Sequence, residues 1–185
     1  GRGAATCIGQ VLVCDLTARK VVQRIGPGGG WAGGMAFTPD GRRLLAGCAD
    51  GKLRLWDVTS GREMKAFEGH TTMPGQVAFS PDGLLAVSGA GARPNGKPPE
   101  DCTVRVWVVA TGKQRNCLEG HTQPLCGVHF TPDGKQIVSV GGDATVRVWD
   151  VVGGKERKVI RLTEAPTGAS DLSPDGKRLL FPASS

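Results

Sequence analysis

A short signature recurs four times along this chain and constrains the fold more than any other feature. Phe37–Gly41 reads FTPDG, Phe79–Gly83 FSPDG, Phe130–Gly134 FTPDG and Leu172–Gly176 LSPDG, at spacings of 42, 51 and 42 residues. A second signature keeps the same steps: VLVCD at 11–15, LRLWD at 53–57, VRVWV at 104–108 and VRVWD at 146–150. A third, FEGH at 67–70 and LEGH at 118–121, agrees with both. One period shared by three landmarks marks a repeat architecture. The longer spacing is the same period plus nine inserted residues, Ala92–Glu100 (ARPNGKPPE).

The cleanest unit reads as four short strands: Leu125–Phe130, Lys135–Val140, Thr145–Trp149 and Arg157–Leu162. Val, Ile and Thr enrichment supports strands of this length. Turn residues separate them. Pro132 presets φ, Gly134 accepts positive φ, and Gly141–Gly142–Asp143 and Gly153–Gly154 close the other two turns. Gly makes up 29 of 185 residues, twice the usual share of about 7%. With no collagen-like period, that share means tight turns and an all-β fold. Both faces of such a sheet carry Val, Leu or Trp, so sheets must stack on one another, and radial stacking gives a propeller.

On these motifs the chain resembles the WD-repeat β-propeller family over essentially its whole length. The resemblance implies blades of four antiparallel strands, about four blades' worth here. The units run as a partial unit at 1–25, repeats at 26–68, 69–119 and 120–162, and a partial unit at 163–185. Propellers of this family usually have seven or eight blades. The chain is therefore read as part of a longer propeller, or as half of a ring that a second copy completes to eight blades by C2 pairing. The chain also lacks an initiating Met, as expected of a trimmed or partial sequence.

The Ser, His and Asp residues invite comparison with a hydrolase triad. His70, Ser88, Asp101 and Trp107 stand at matching positions to His121, Ser139, Asp143 and Trp149. A set that recurs once per unit does not fit the single pocket and oxyanion hole that a triad needs. The resemblance implies a structural hydrogen-bond tetrad instead. The second unit has Gly28, Ala46, Asp50 and Trp56 at these places, and the first has Ala4, Ile8 and Cys14 for Ser, Asp and Trp. The last unit has Thr163 and Phe181 for His and Ser. Cys126 and His129 lie three apart on one strand, which places them on opposite faces. They lack a further ligand pair, so no metal is expected. Gly26–Gly30 precedes no helix and is not a phosphate loop.

The resemblance implies that the loops at the end that joins one blade to the next form the partner-binding face. They comprise 28–33, 71–75, 91–101, 122–126 and 142–144, with Trp31, Thr72, Arg93, Asn95, Lys97 and Gln123 as candidate contacts. Pro94, Pro98 and Pro99 limit the entropy that the inserted loop loses on binding. The expected function is a non-enzymatic scaffold for a protein or peptide partner, without a cofactor. The alternative is a sensing module attached to a catalytic domain such as a bacterial protein kinase. Net charge is +6, but the basic residues are spread and not interleaved with aromatics, which disfavours nucleic acid. Arg54, Arg105 and Arg147 recur with the period and are expected to pair with nearby carboxylates. No apolar run is long enough to span a membrane. Six scattered Cys without a CxxC pair suggest reduced thiols and the cytoplasm.

Overall fold

The S/T-P-D-G signature builds the same turn in all four copies. Thr38, Ser80, Thr131 and Ser173 donate their hydroxyls to Asp40, Asp82, Asp133 and Asp175, each at 2.6 Å. The same hydroxyl oxygens accept the backbone N–H of Arg43, Leu85, Gln136 and Arg178. The hydroxyls hold these carboxylates below the usual range, helped by a backbone N–H two residues on. The glycine takes φ near +70° each time, between 68° and 70°. The motif thus closes the first hairpin of each unit by local bonds alone.

The computed structural model describes residues 10–26, 32–91 and 101–183, together with the backbone of 2–7. The head sheet pairs β1 (Arg2–Cys7), β2 (Gln10–Asp15) and β3 (Lys20–Ile25). Three four-stranded antiparallel sheets follow. The second unit has β4 (Ala32–Phe37), β5 (Arg43–Cys48), β6 (Leu53–Asp57) and β7 (Glu63–Phe67). The third has β8 (Pro74–Phe79), β9 (Leu85–Ala90), β10 (Val104–Val108) and β11 (Gln114–Leu118). The fourth has β12 (Leu125–Phe130), β13 (Gln136–Gly141), β14 (Thr145–Asp150) and β15 (Glu156–Arg161). The tail adds β16 (Asp171–Leu172) and β17 (Leu179–Leu180). The described residues contain no helix.

Strands β4, β8, β12 and β16 lie side by side as the innermost strands, and each sheet runs outward from them. This is the arrangement of a partial β-propeller. The core lies between sheets: Val11, Val13 and Ile25 pack against Leu44 and Trp56, and Leu45, Leu55 and Phe67 pack against Ala86 and Trp107. Val87, Val106 and Leu118 pack against Val128, Ile137 and Trp149. Between the second and third units the inner backbones themselves touch. A Cβ added at Gly34 would lie 2.6 Å from the Gly75 carbonyl oxygen, and one at Gly47 would run into that of Pro74.

Two details depart from strict repetition. In the head sheet Ala5, and not Ala4, stands opposite Leu12. Elsewhere the pairs are Ala46–Arg54, Ser88–Arg105 and Ser139–Arg147. The head hairpin is therefore one residue out of step with the other units. Cys126 sits in a bulge between Leu125 and Gly127. That bulge resets the alternation, so Cys126 and His129 do not diverge as their spacing suggests. Cys126 reaches the Pro166 carbonyl, and His129 Nε2 lies 2.9 Å from Ser170 Oγ, so both meet the tail.

Among the described residues two non-glycines adopt left-handed backbone, Arg19 at φ 53° and Ala144 at φ 57°. Sister units place Gly61, Gly112 and Gly154 where Arg19 stands, and Gly51 where Ala144 stands, all with φ between 63° and 82°. Removing the Cβ releases local strain, partly offset by the entropy of a freer unfolded chain. Ala144→Gly is expected to stabilise the fold by about 0.5–1 kcal/mol. Urea midpoints measure it, and an unchanged or lower midpoint would contradict the strain argument.

Candidate functional site

Two complete polar chains run through the third and fourth units. In the third, Trp107 Nε1 donates to Ser88 Oγ at 2.8 Å, and Ser88 Oγ lies 2.7 Å from His70 Nε2. His70 Nδ1 lies 2.8 Å from Asp101 Oδ2, which also accepts the Thr71 N–H. In the fourth, Trp149 donates to Ser139 at 2.8 Å, and Ser139 meets His121 Nε2 at 2.8 Å. His121 Nδ1 lies 3.0 Å from Asp143, which accepts the Thr122 N–H at 2.9 Å. A carboxylate at Nδ1 fixes the proton there, so Nε2 accepts from the serine. Each chain ties the second and third strands to the loop that enters the inner strand.

Burial sets the electrostatics. Side-chain exposure is 0% for His70, 3% for Asp101, 1% for His121 and 6% for Asp143. Burial pushes the His121 pKa down against the pull of Asp143. Burial works to raise the Asp143 pKa, but the Thr145 hydroxyl, the Thr122 N–H and His121 together hold it low. Asp101 is held far below the carboxylate range in the same way, by His70 and Thr103 against burial. Ser88 and Ser139 have no exposed surface, so neither hydroxyl can meet a substrate.

In the second unit, where Gly28 and Ala46 occupy the His and Ser places, Asp50 turns to Arg54. The guanidinium grips both carboxylate oxygens, at 3.0 and 2.7 Å, and reaches Glu63 at 3.4 Å. This fork explains how that unit holds the same turn without a histidine. Arg147 pairs with Glu156 at 2.5 Å, and Arg105 bonds Gln114 at 2.8 Å with Asp101 at 3.7 Å. The stripe of arginines is thus engaged within its own units.

Thr72 and Gln123 occupy one repeat position, in the loops leading into β8 and β12. Gly142, in the neighbouring turn, donates its N–H to the Pro124 carbonyl at 2.8 Å. The structure therefore gathers 71–75 and 101–103, and 122–126 and 142–144, at one end. Thr72 Oγ1 is buried there without a hydrogen-bond partner. Trp31, Arg93, Asn95 and Lys97 lie outside the described residues, as does the insertion at 92–100. At the opposite end of the inner strands lies a cavity of about 390 Å³, lined by Phe37, Phe79, Phe130 and Leu172 with the turn prolines. The repeat signature itself contains these residues. No group of three or more metal-ligating side chains occurs among the described residues.

Comparison with known proteins decides the family. The description "Anaphase-promoting complex subunit 4 WD40 domain" matches residues 3–88, and "WD domain, G-beta repeat" matches 112–150. The chain belongs to the WD-repeat family. An uncharacterized WD repeat-containing protein of Synechocystis sp. is 34% identical over 136 residues, 73% of this WD-repeat chain and 36% of that protein. WD repeat and SOCS box-containing protein 1 of Homo sapiens is 30% identical over 106 residues, 57% of this chain and 23% of its own. Cell division cycle 20.1, cofactor of APC complex, of Arabidopsis thaliana is 30% identical over 108 residues, 58% and 21%. The matched part thus spans well under half of each relative. WD repeats indicate a protein-interaction scaffold, and none of these relatives is named as an enzyme. Among the described residues no helix is long and apolar enough to cross a membrane.

Proposed function

We propose that this WD-repeat chain is a non-enzymatic scaffold that binds a protein or peptide partner at the end carrying Thr72, Gln123 and the 92–100 insertion. The observation that carries this reading is the buried, unpartnered Thr72 hydroxyl oxygen at that end. It lies among loops held by the polar chains, whose role we take to be structural. A rigid rim lowers the ordering cost of docking. Trp31, Arg93, Asn95 and Lys97 supply the aromatic and polar groups that partner contacts favour. A relative described as a cofactor of a complex fits such a role. The same reading places the chain in the cytoplasm, in a ring that either a longer chain or a second copy completes.

The test is calorimetric titration with peptides selected from a random library against the full chain. Gln123→Ala and the pair Arg93→Ala with Lys97→Ala are expected to weaken binding roughly tenfold. Lys135→Ala, in the turn at the opposite end, is expected to leave it unchanged. Loss of binding through Lys135→Ala alone would move the site to the cavity end and refute this assignment.

A further inference from the structure

The four inner strands each end in a bulky apolar residue that faces one shared space. Phe37, Phe79, Phe130 and Leu172 line the cavity of about 390 Å³ at the end opposite the loops, and the turn prolines that follow them complete its wall. Such a volume falls within the range of small-ligand sites. The apolar wall follows from the repeat itself, because each of these four residues opens one copy of the S/T-P-D-G signature. The turn hydroxyls that join the wall are already engaged. Ser80, Thr131 and Ser173 each donate to the aspartate two residues on and accept a backbone N–H. Their single donors are therefore closed to a ligand.

One lining residue breaks the period. His129 stands where β4 has Ala36, β8 has Ala78 and β16 has Asp171. A side chain that serves the blade recurs with the blade, as the members of the polar chains do, whereas this imidazole lines the cavity beside the alanine of the preceding unit. It is half-buried, and its Nε2 lies 2.9 Å from Ser170 Oγ. Its Nδ1 has no hydrogen bond among the described residues. Burial disfavours the charged ring, against the opposing charge of Asp171. The neutral ring keeps one nitrogen for a ligand, as donor or acceptor according to the direction of the Ser170 bond.

The wall also selects the charge of its occupant. No Lys, Arg, Asp or Glu is among the described residues that line the cavity. A charged ligand would lose hydration there and meet no group of opposite sign. A neutral hydroxyl avoids that cost. It is both donor and acceptor, so it satisfies the His129 nitrogen in either tautomer. An aromatic ring suits a wall of phenylalanines, through edge-to-face and offset contacts.

We propose that this cavity binds a small neutral aromatic molecule carrying one hydroxyl group, with its ring against Phe37, Phe79 and Phe130 and its hydroxyl on His129. The site is separate from the rim proposed for a protein or peptide partner and lies at the other end of the inner strands.

Ligand-observed NMR titration of the full chain at neutral pH, with β-naphthol, naphthalene and β-naphthoate as probes, tests it. β-Naphthol is expected to bind, and naphthalene, which lacks the hydroxyl, to bind roughly fivefold more weakly. The charged β-naphthoate is expected to bind roughly tenfold more weakly than β-naphthol, or worse. His129→Ala installs the residue that β4 and β8 already carry at this place. It is expected to abolish the preference for β-naphthol over naphthalene while naphthalene still binds. Met64→Ala, on the exposed face of the outer strand β7, is expected to change neither. Absence of β-naphthol binding up to its solubility limit, equal binding of β-naphthoate, a preference that survives His129→Ala, or its equal loss in Met64→Ala overturns the assignment. The three probes on the unaltered chain decide the matter even if His129→Ala unfolds. Peptide titration reads the opposite end, so a chain that binds peptide and not β-naphthol overturns the cavity assignment alone.

Discussion

Trp107→Ala is expected to destabilise the fold by about 3–5 kcal/mol, the usual cost of emptying a large aromatic site. The indole is 1% exposed and meets Phe67 edge-on, with ring centres 5.9 Å apart. It therefore helps form the seam between the second and third units and does not serve one sheet only. Its N–H also donates to Ser88. Trp107→Phe keeps most of the contact and removes only that donor, for about 1–2 kcal/mol. Trp56→Phe provides the comparison, because Ala46 stands where a serine would accept. Chemical denaturation of the three variants separates packing from hydrogen bonding. If Trp107→Phe cost as much as Trp107→Ala, the seam contact would not be the main stabilising part.

His121→Ala is expected to cost about 3 kcal/mol, combining a cavity with the loss of hydrogen bonds at Ser139 and Asp143. Asp143 keeps the Thr122 N–H and the Thr145 hydroxyl, so the carboxylate is weakened and not stranded. The variant also changes the pH dependence. The folded pKa of His121 lies below its ordinary 6.5 because burial disfavours the charged ring, and Asp143, Arg147 and Glu156 modulate it. Below about 6.5 the unfolded chain binds this proton more strongly than the folded one. Stability therefore falls as pH drops through that window and levels off beneath the folded pKa. Asp101 and Asp143, both held low, add a second loss below about 3.8. In His121→Ala the first step shrinks but does not vanish, because burial also depresses His129. Melting temperatures across pH 7 to 5 give the comparison; an identical slope in both proteins would remove His121 from the account.

The strands were legible because turn chemistry and alternation agree at the same positions. The fourth unit folds at 125–130, 136–141, 145–150 and 156–161, against expected strands at 125–130, 135–140, 145–149 and 157–162. The four residues of each polar chain were legible from their period, and the hydrogen bonds join them in that order. Contacts between units were less visible. Gln23, Lys65 and Asn116, which reach the Thr59, Ala110 and Val151 carbonyls of the next unit, share a repeat position but no chemistry beyond a side-chain N–H, so no pattern marks them as equivalent contacts. The slip in the head hairpin was hidden because a constant period assumes the same pairing register in every unit. The bulge at Cys126 misled for the same reason, since alternation counts residues and one extra inverts the count. The pairing of Arg54 with a nearby carboxylate was legible from its recurrence, and Asp50, four residues before it in the same unit, is that carboxylate.

The glycine-lined contact at Gly34, Gly47 and Gly75 constrains how such a chain can diversify. Where main chain rests on main chain, no compensating side-chain replacement is available, so the two modules flanking that contact must be inherited together. The far side of the third module, where a Cβ at Gly91 would lie 2.6 Å from the Leu125 backbone nitrogen, carries the same restriction. Recombination among tandem copies should therefore leave breakpoints inside modules more often than at either glycine joint.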